Sequence, residues 1–109
     1  LADMWAVYRD ALAGAGLEWA AFGHIGNNHL HINILPRDME DLNKALGLYQ
    51  LFAEKAVAFG GTVSAEHGIG KLKAKFLKTM YSESEIEQMR AVKRALDPQL
   101  LLNPGNIFD

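Results

Sequence analysis

At 109 residues, half of them hydrophobic and 22% charged, the chain has ordinary globular composition, well outside the disordered class, and amounts to one domain or a piece of one. A net charge near −2 gives no basic field for nucleic acid or an anionic membrane. Cysteine is absent, which excludes disulfides and thiolate-zinc sites and fits a reducing compartment; the expectation is a cytoplasmic protein, with peripheral attachment to a membrane as the variant.

The first predicted element is an amphipathic helix over residues 3–14. Met4, Trp5, Val7, Tyr8 and Leu12 fall near one face, and Gly14 or Gly16 ends it. Asp3, Arg9 and Asp10 break any apolar run there, so the segment is not a signal peptide. No stretch approaches the roughly 20 apolar residues of a membrane helix. A start at Leu1, with Met4 inside the helical pattern, reads as a cut in a longer polypeptide.

"LEWAAFGHI" follows as an apolar, aromatic strand candidate. "HLHINIL" then alternates strictly. Leu30, Ile32 and Ile34 take one side, and His29, His31 and Asn33 take the other, which is strand periodicity with an apolar back and a polar front. Asp38 can cap a long helix over about 40–59 that Gly60-Gly61 closes, with Leu42, Leu46, Tyr49, Phe52, Ala53 and Ala56 at helical spacing. "GTVSA" is a short strand candidate leading into "EHGIG". A helix with a basic face is predicted over 71–80, and Ser82 with Glu85 forms a capping box for a last helix to about Leu96, stopped by Asp97-Pro98. "LLNPGNIF" is a turn-rich tail. Trp5, Trp19, Phe22 and Tyr49 are expected in the core, and Glu83, Glu85 and Glu87 as favourable charges at a helix start. The order predicts an α+β fold with helices on one face of a small antiparallel sheet.

Three of the four histidines crowd into "GHIGNNHLHINI", and the fourth sits in "EHGIG". His24 and His31 are seven positions apart. On one straight strand they would point to opposite faces, roughly 23 Å apart. A turn resolves this. Centred on Asn27-Asn28, it pairs Gly26 with His29, Ile25 with Leu30 and His24 with His31. The two imidazoles then become cross-strand neighbours on one face, with Cβ atoms about 5 Å apart, and Asn33 joins that face. Two such imidazoles and a carboxylate make a divalent-metal site with an open position. Glu66 is the best carboxylate offered. His67, next in sequence, does not readily point the same way as Glu66; it can approach the same cavity from another side, as a base.

The blocks "GHIGNNHLHINIL", "GGTVSAEHGIGKLKAKFL" and "MRAVKRALDPQLLLNPGNIF", in that order and spacing, resemble the C-terminal part of FAD-linked 2-hydroxy acid dehydrogenases and oxidases. That group includes D-lactate dehydrogenases, the glycolate oxidase flavin subunit and D-2-hydroxyglutarate dehydrogenase. The resemblance implies that residues 1–109 are the end of a ferredoxin-like cap domain whose partner, an N-terminal FAD-binding domain, is not in this chain. It implies metal ligation by His24, His31 and Glu66, with zinc, manganese or iron as candidates. His67 becomes the base and Asn33 a substrate contact. "LDPQLLLNPG" reads most simply as a helix stop followed by turns, and its functional alternative places Asn103 or Gly105 near the flavin. The activity implied is oxidation of a D-2-hydroxy acid to the 2-oxo acid by hydride transfer to FAD, helped by metal-assisted deprotonation. The electron acceptor is unspecified, and a homo-oligomer is compatible. The fragment alone is expected to be inactive. The family pattern "GHxGDGNLH" reads "GHIGNNHLH" here, with Asn27 for Asp, Asn28 for Gly and His29 for Asn. The outer histidines keep their interval, so the change bears on metal and substrate choice more than on class.

Two other readings compete. A non-catalytic metal-binding or oligomerising α+β module fits the chain taken alone. "HLHIN" also resembles the histidine-triad nucleotide hydrolases, but Asn33 stands where the third histidine is needed. "GIGKLKAK" lacks the spacing and Lys-Ser/Thr ending of a phosphate loop, so its lysines are read as a solvated helix face.

Overall fold

The helical spacing at the N-terminus is realised one residue longer at each end. In the computed structural model, which describes residues 1–108, α1 runs Ala2–Ala15 and stops at Gly16, which takes φ 65°. A left-handed residue at that place suits glycine, which has no Cβ to clash. The hairpin follows, with β1 at Glu18–His24 and β2 at His29–Leu35, paired antiparallel. Next come α2 at Met39–Ala58, α3 at Ala74–Met80 and α4 at Glu83–Leu96. The chain divides into two compact units at Gly60/Gly61. Among the described residues, no helix is long and apolar enough to cross a membrane.

The first unit is an α+β layer in which α1 and α2 cover the apolar face of the hairpin. Its core is Leu12, Leu17, Ile34, Ala45 and Phe52, with Val7, Tyr8, Trp19, Ile32, Leu48 and Leu51 packed around it. Each large apolar side chain so buried contributes roughly 1.5–3 kcal/mol. Tyr8 meets Phe52 edge-on at 4.8 Å between ring centres, and its burial pushes the phenol pKa up.

The expected face of α2 is displaced. Leu46 is 47% exposed and Tyr49 36% exposed, while Asp41, Ala45, Phe52 and Ala53 are buried. A 3.6-residue period offers two overlapping stripes here. The stripe through residues 41, 45, 48 and 52 meets the hairpin, and the one through 42, 46 and 49 lies at its flank. Tyr49 still serves the sheet, since its hydroxyl donates to the Ile32 carbonyl at 3.2 Å. Asp38 caps the helix, accepting from the Asp41 N–H at 2.8 Å. Asp41 accepts from the Arg37 guanidinium at 2.7 Å, which holds its carboxyl below the ordinary carboxylate range.

In the second unit the predicted strand at "GTVSA" is absent. Residues 61–73 run as bends and turns instead. Local polar contacts take up the backbone that a strand would have paired. The Thr62 hydroxyl donates to the Ser64 carbonyl at 3.1 Å, and the Ser64 hydroxyl to the Gly68 carbonyl at 2.6 Å. The helix predicted over 71–80 begins only at Ala74. Phe76 and Leu77 of α3 and Ile86 of α4 are this unit's buried apolar residues. The capping box at Ser82 and Glu85 is complete, and those bonds keep the Glu85 carboxyl below its ordinary range. Asp97 ends α4. It pairs with Lys93 and accepts from the Leu101 and Leu102 N–H groups at 3.0 and 2.9 Å. Lys93, with these backbone donors, lowers the Asp97 pKa.

Candidate metal centre

The hairpin presents its histidines on the face opposite the core, but not in the predicted register. His24 stands opposite His29, Gly23 opposite Leu30, and Phe22 opposite His31. The turn is longer than the two residues expected. Ile25–Asn27 form a 3₁₀ turn, and Asn28 closes it at φ 53°, its N–H bonded to the Ile25 carbonyl at 3.2 Å. A two-residue turn of the expected kind needs positive φ at both central residues. Here Asn28 adopts it and Asn27, inside the 3₁₀ turn, does not. The slip changes each partner by two positions. Because strand side chains alternate with period two, an even slip keeps every residue on its face.

His24, His29 and His31 therefore still converge. Ring centres lie 4.4 Å apart for His29–His31, 5.7 Å for His24–His29 and 6.3 Å for His24–His31. Each offers a ring nitrogen within 4.8 Å of the others'. Asn33 follows on the same face, opposite Ala20, and is exposed.

Two supports for this cluster escaped the sequence reading. Phe22, expected in the core, is 55% exposed. It stacks on His31 at 5.1 Å with 21° between planes. Its place at an even interval from His24 on β1 was the available signal, since that puts it on the histidine face. Gly23 is required for a different reason. A Cβ there would fall on the His29 carbonyl oxygen and within 2.9 Å of the Leu30 Cα. Only glycine lets β1 and β2 close at the point where His24 and His29 meet. Of the other expected core aromatics, Trp5 is 38% exposed and rests edge-on against the partly buried Trp19 at 6.0 Å.

Glu66 and His67 lie in the loop of the second unit. Contrary to expectation, they point the same way, with His67 Nε2 3.3 Å from Glu66 Oε1. The argument for divergence assumed an extended backbone, where neighbours alternate. A bend at residues 65–67 removes that alternation. The loop is held by the Ser64 hydroxyl, which also accepts from Lys73 Nζ at 3.3 Å, and by the Ile107 N–H donating to the Gly70 carbonyl at 3.2 Å. Asn103 sits in the tail at φ 47°, its carbonyl accepting from the Asn106 N–H at 3.1 Å. Asparagine is among the few non-glycine residues that take this conformation readily, so backbone geometry alone accounts for it there.

Residues 1–107 match the family model for FAD linked oxidases, C-terminal domain. The chain belongs to that family. It is 42% identical, over its whole length, to D-2-hydroxyglutarate dehydrogenase of Xanthomonas citri pv. viticola, covering 24% of that protein. It is 33% identical over 99% of its length to glycolate oxidase subunit GlcD of Bacillus subtilis, covering 23% of it. A D-lactate dehydrogenase of Anaerostipes hadrus is 37% identical over 87% of the chain, which spans 21% of that relative. The chain thus spans about a quarter of the length of these relatives, each named for oxidation of a small 2-hydroxy acid.

Proposed function

We propose that the chain is the substrate-side part of an FAD-linked dehydrogenase or oxidase of D-2-hydroxy acids, and that His24, His31 and Glu66 hold a divalent metal there. What chiefly supports this reading is that the hairpin of a chain in this family gathers imidazole nitrogens on one polar face. The donor set fits: imidazole nitrogens with a carboxylate oxygen suit zinc, manganese or iron. When bound, such an ion would draw charge from the substrate's 2-hydroxyl and carboxylate oxygens and make the hydroxyl proton easier to remove.

His67 takes that proton as the general base. A carboxylate has two oxygens, so Glu66 can ligate through one while the other accepts from the His67 ring and fixes its orientation. Asn33, exposed on the histidine face, offers both an amide donor and a carbonyl acceptor to the substrate. The oxidation breaks the O–H and C2–H bonds and forms the 2-oxo group. The flavin, held mainly by a domain outside this chain, supplies the hydride acceptor. Asn103 is the proposed contact to it from the tail.

The natural polypeptide that carries this chain should purify yellow and bleach when D-lactate or D-2-hydroxyglutarate is added without oxygen. The His67→Ala variant should keep its flavin and bleach at least about a hundredfold more slowly. Protein that carries flavin but is bleached by no 2-hydroxy acid would defeat the reading.

A further inference from the structure

The register observed in the hairpin gives His29 a place that the ligand pair His24 and His31 leaves unexplained. His24 faces His29 directly across the ladder, and His31 is one pleat further along. His29 is thus the middle ring, 4.4 Å from His31 and 5.7 Å from His24, while the outer pair are 6.3 Å apart. All three rings present a nitrogen within 4.8 Å of the others'. Nitrogens bound to one ion at about 2.0–2.1 Å stand roughly 3 Å apart, so small side-chain rotations close the set, and an ion expanded beyond four-coordination keeps a place for substrate oxygens beside Glu66.

We propose that His29 is a third imidazole ligand, so that the hairpin presents a three-nitrogen face selecting a borderline divalent cation, such as zinc or cobalt, over magnesium or manganese. The inference deepens the metal assignment above and rests on it. Its physical basis is donor type. Magnesium and manganese favour carboxylate, carbonyl and water oxygens, whereas imidazole nitrogens favour zinc, cobalt, nickel and copper. Adding a nitrogen to the set moves the preference toward the second group. The scaffold suits the task because all three rings stand on one short ladder, closed by Gly23, and Phe22 braces the His31 ring from its other neighbour position. A ring held in place before the ion arrives loses less freedom on binding.

The test is cobalt titration of the metal-stripped natural polypeptide, followed by visible absorbance, with manganese as competitor. His29→Asn and His29→Gln are compared with His24→Ala and His31→Ala, and far-ultraviolet dichroism checks the fold of each. Loss of His29 should weaken cobalt binding at least about tenfold, change the cobalt visible bands, and leave manganese binding within about threefold. If the His24 and His31 variants lose cobalt while both His29 variants keep wild-type affinity and spectrum, the third-ligand proposal is overturned and the metal centre stands. If His24→Ala and His31→Ala also keep wild-type cobalt binding, the metal centre itself fails, and the third ligand with it.

Discussion

In the hairpin of residues 18–35, alternate side chains face the core and hold the histidine face in place from behind. In the loop of residues 61–73, which carries Glu66 and His67, polar side chains bond the loop's own backbone instead. Ile34 is 8% exposed at the back of the hairpin; Ser64, Thr62 and Lys73 do the corresponding work in the loop. The first region is positioned by burial, which is strong and tolerant of exact geometry. The second is positioned by hydrogen bonds, each of which contributes little net energy but fixes direction. Side chains placed by periodicity and side chains placed by a bent loop can therefore vary independently.

The sharpest way to break the hairpin side of this comparison is Gly23→Ala. The new methyl meets backbone of β2, at the His29 carbonyl and 2.9 Å from the Leu30 Cα, and backbone cannot rotate aside as a side chain would. Overpacking costs about 1–3 kcal/mol, and the upper end is expected here. Urea unfolding of the natural polypeptide should register that loss. Cobalt binding should weaken as well, because the ladder opens between His24 and His29. An alanine variant with unchanged stability and metal binding would mean the strands do not need this close approach.

How far each region could be read in advance follows from the same contrast. The alternation of residues 29–35 fixed the face of His29, His31 and Asn33, and even a misjudged turn left that result intact because the error was an even number of residues. The helices were legible from caps and spacing: Asp38, the Ser82–Glu85 box and Asp97 all act where expected. The stripe of α2 was not, since Leu46 and Ala45 are both plausible at helical spacing and only the hairpin decides between them. The strand at 61–65 failed because β-type residues need a partner strand, and Thr62 and Ser64 offered the backbone a nearer one. Glu66 and His67 were identified by type and by family likeness, but their mutual approach depended on a bend that has no periodic signature.

Acid should separate the two units. In residues 61–108 the carboxyls of Glu85, Glu87 and Asp97 all lie below their ordinary range, through hydrogen bonds to Ser82, Arg94 and Lys93 respectively. In residues 1–60 Asp41 is the lowered carboxyl among the described residues. A carboxyl with a depressed folded pKa contributes stability that is present above its unfolded value and lost as pH falls through the folded one. Below the ordinary carboxylate range, the Leu101 and Leu102 amides should therefore lose hydrogen-exchange protection before the amides of the β1–β2 ladder do. Asp97→Asn should expose those two amides at neutral pH. Simultaneous loss of protection in tail and ladder would show that burial, not Asp97, governs the tail.

The smallest effect is the most local. Ser64→Ala removes the donor to the Gly68 carbonyl at 2.6 Å and the acceptor of Lys73 Nζ at 3.3 Å, while the core of the first unit is untouched. The net loss should be about 1 kcal/mol, equivalent to about fivefold faster exchange in the loop amides around Glu66 and His67. Ser64→Thr keeps the hydroxyl and should restore protection. Because the bond sets the course of the loop that carries His67 rather than whether the unit folds, the proposed role of His67 predicts slower flavin bleaching in Ser64→Ala with metal content held. Unchanged exchange in the alanine variant would mean that the bend at residues 65–67 is maintained by the backbone itself, with Gly68 at φ 70° as the residue to replace next.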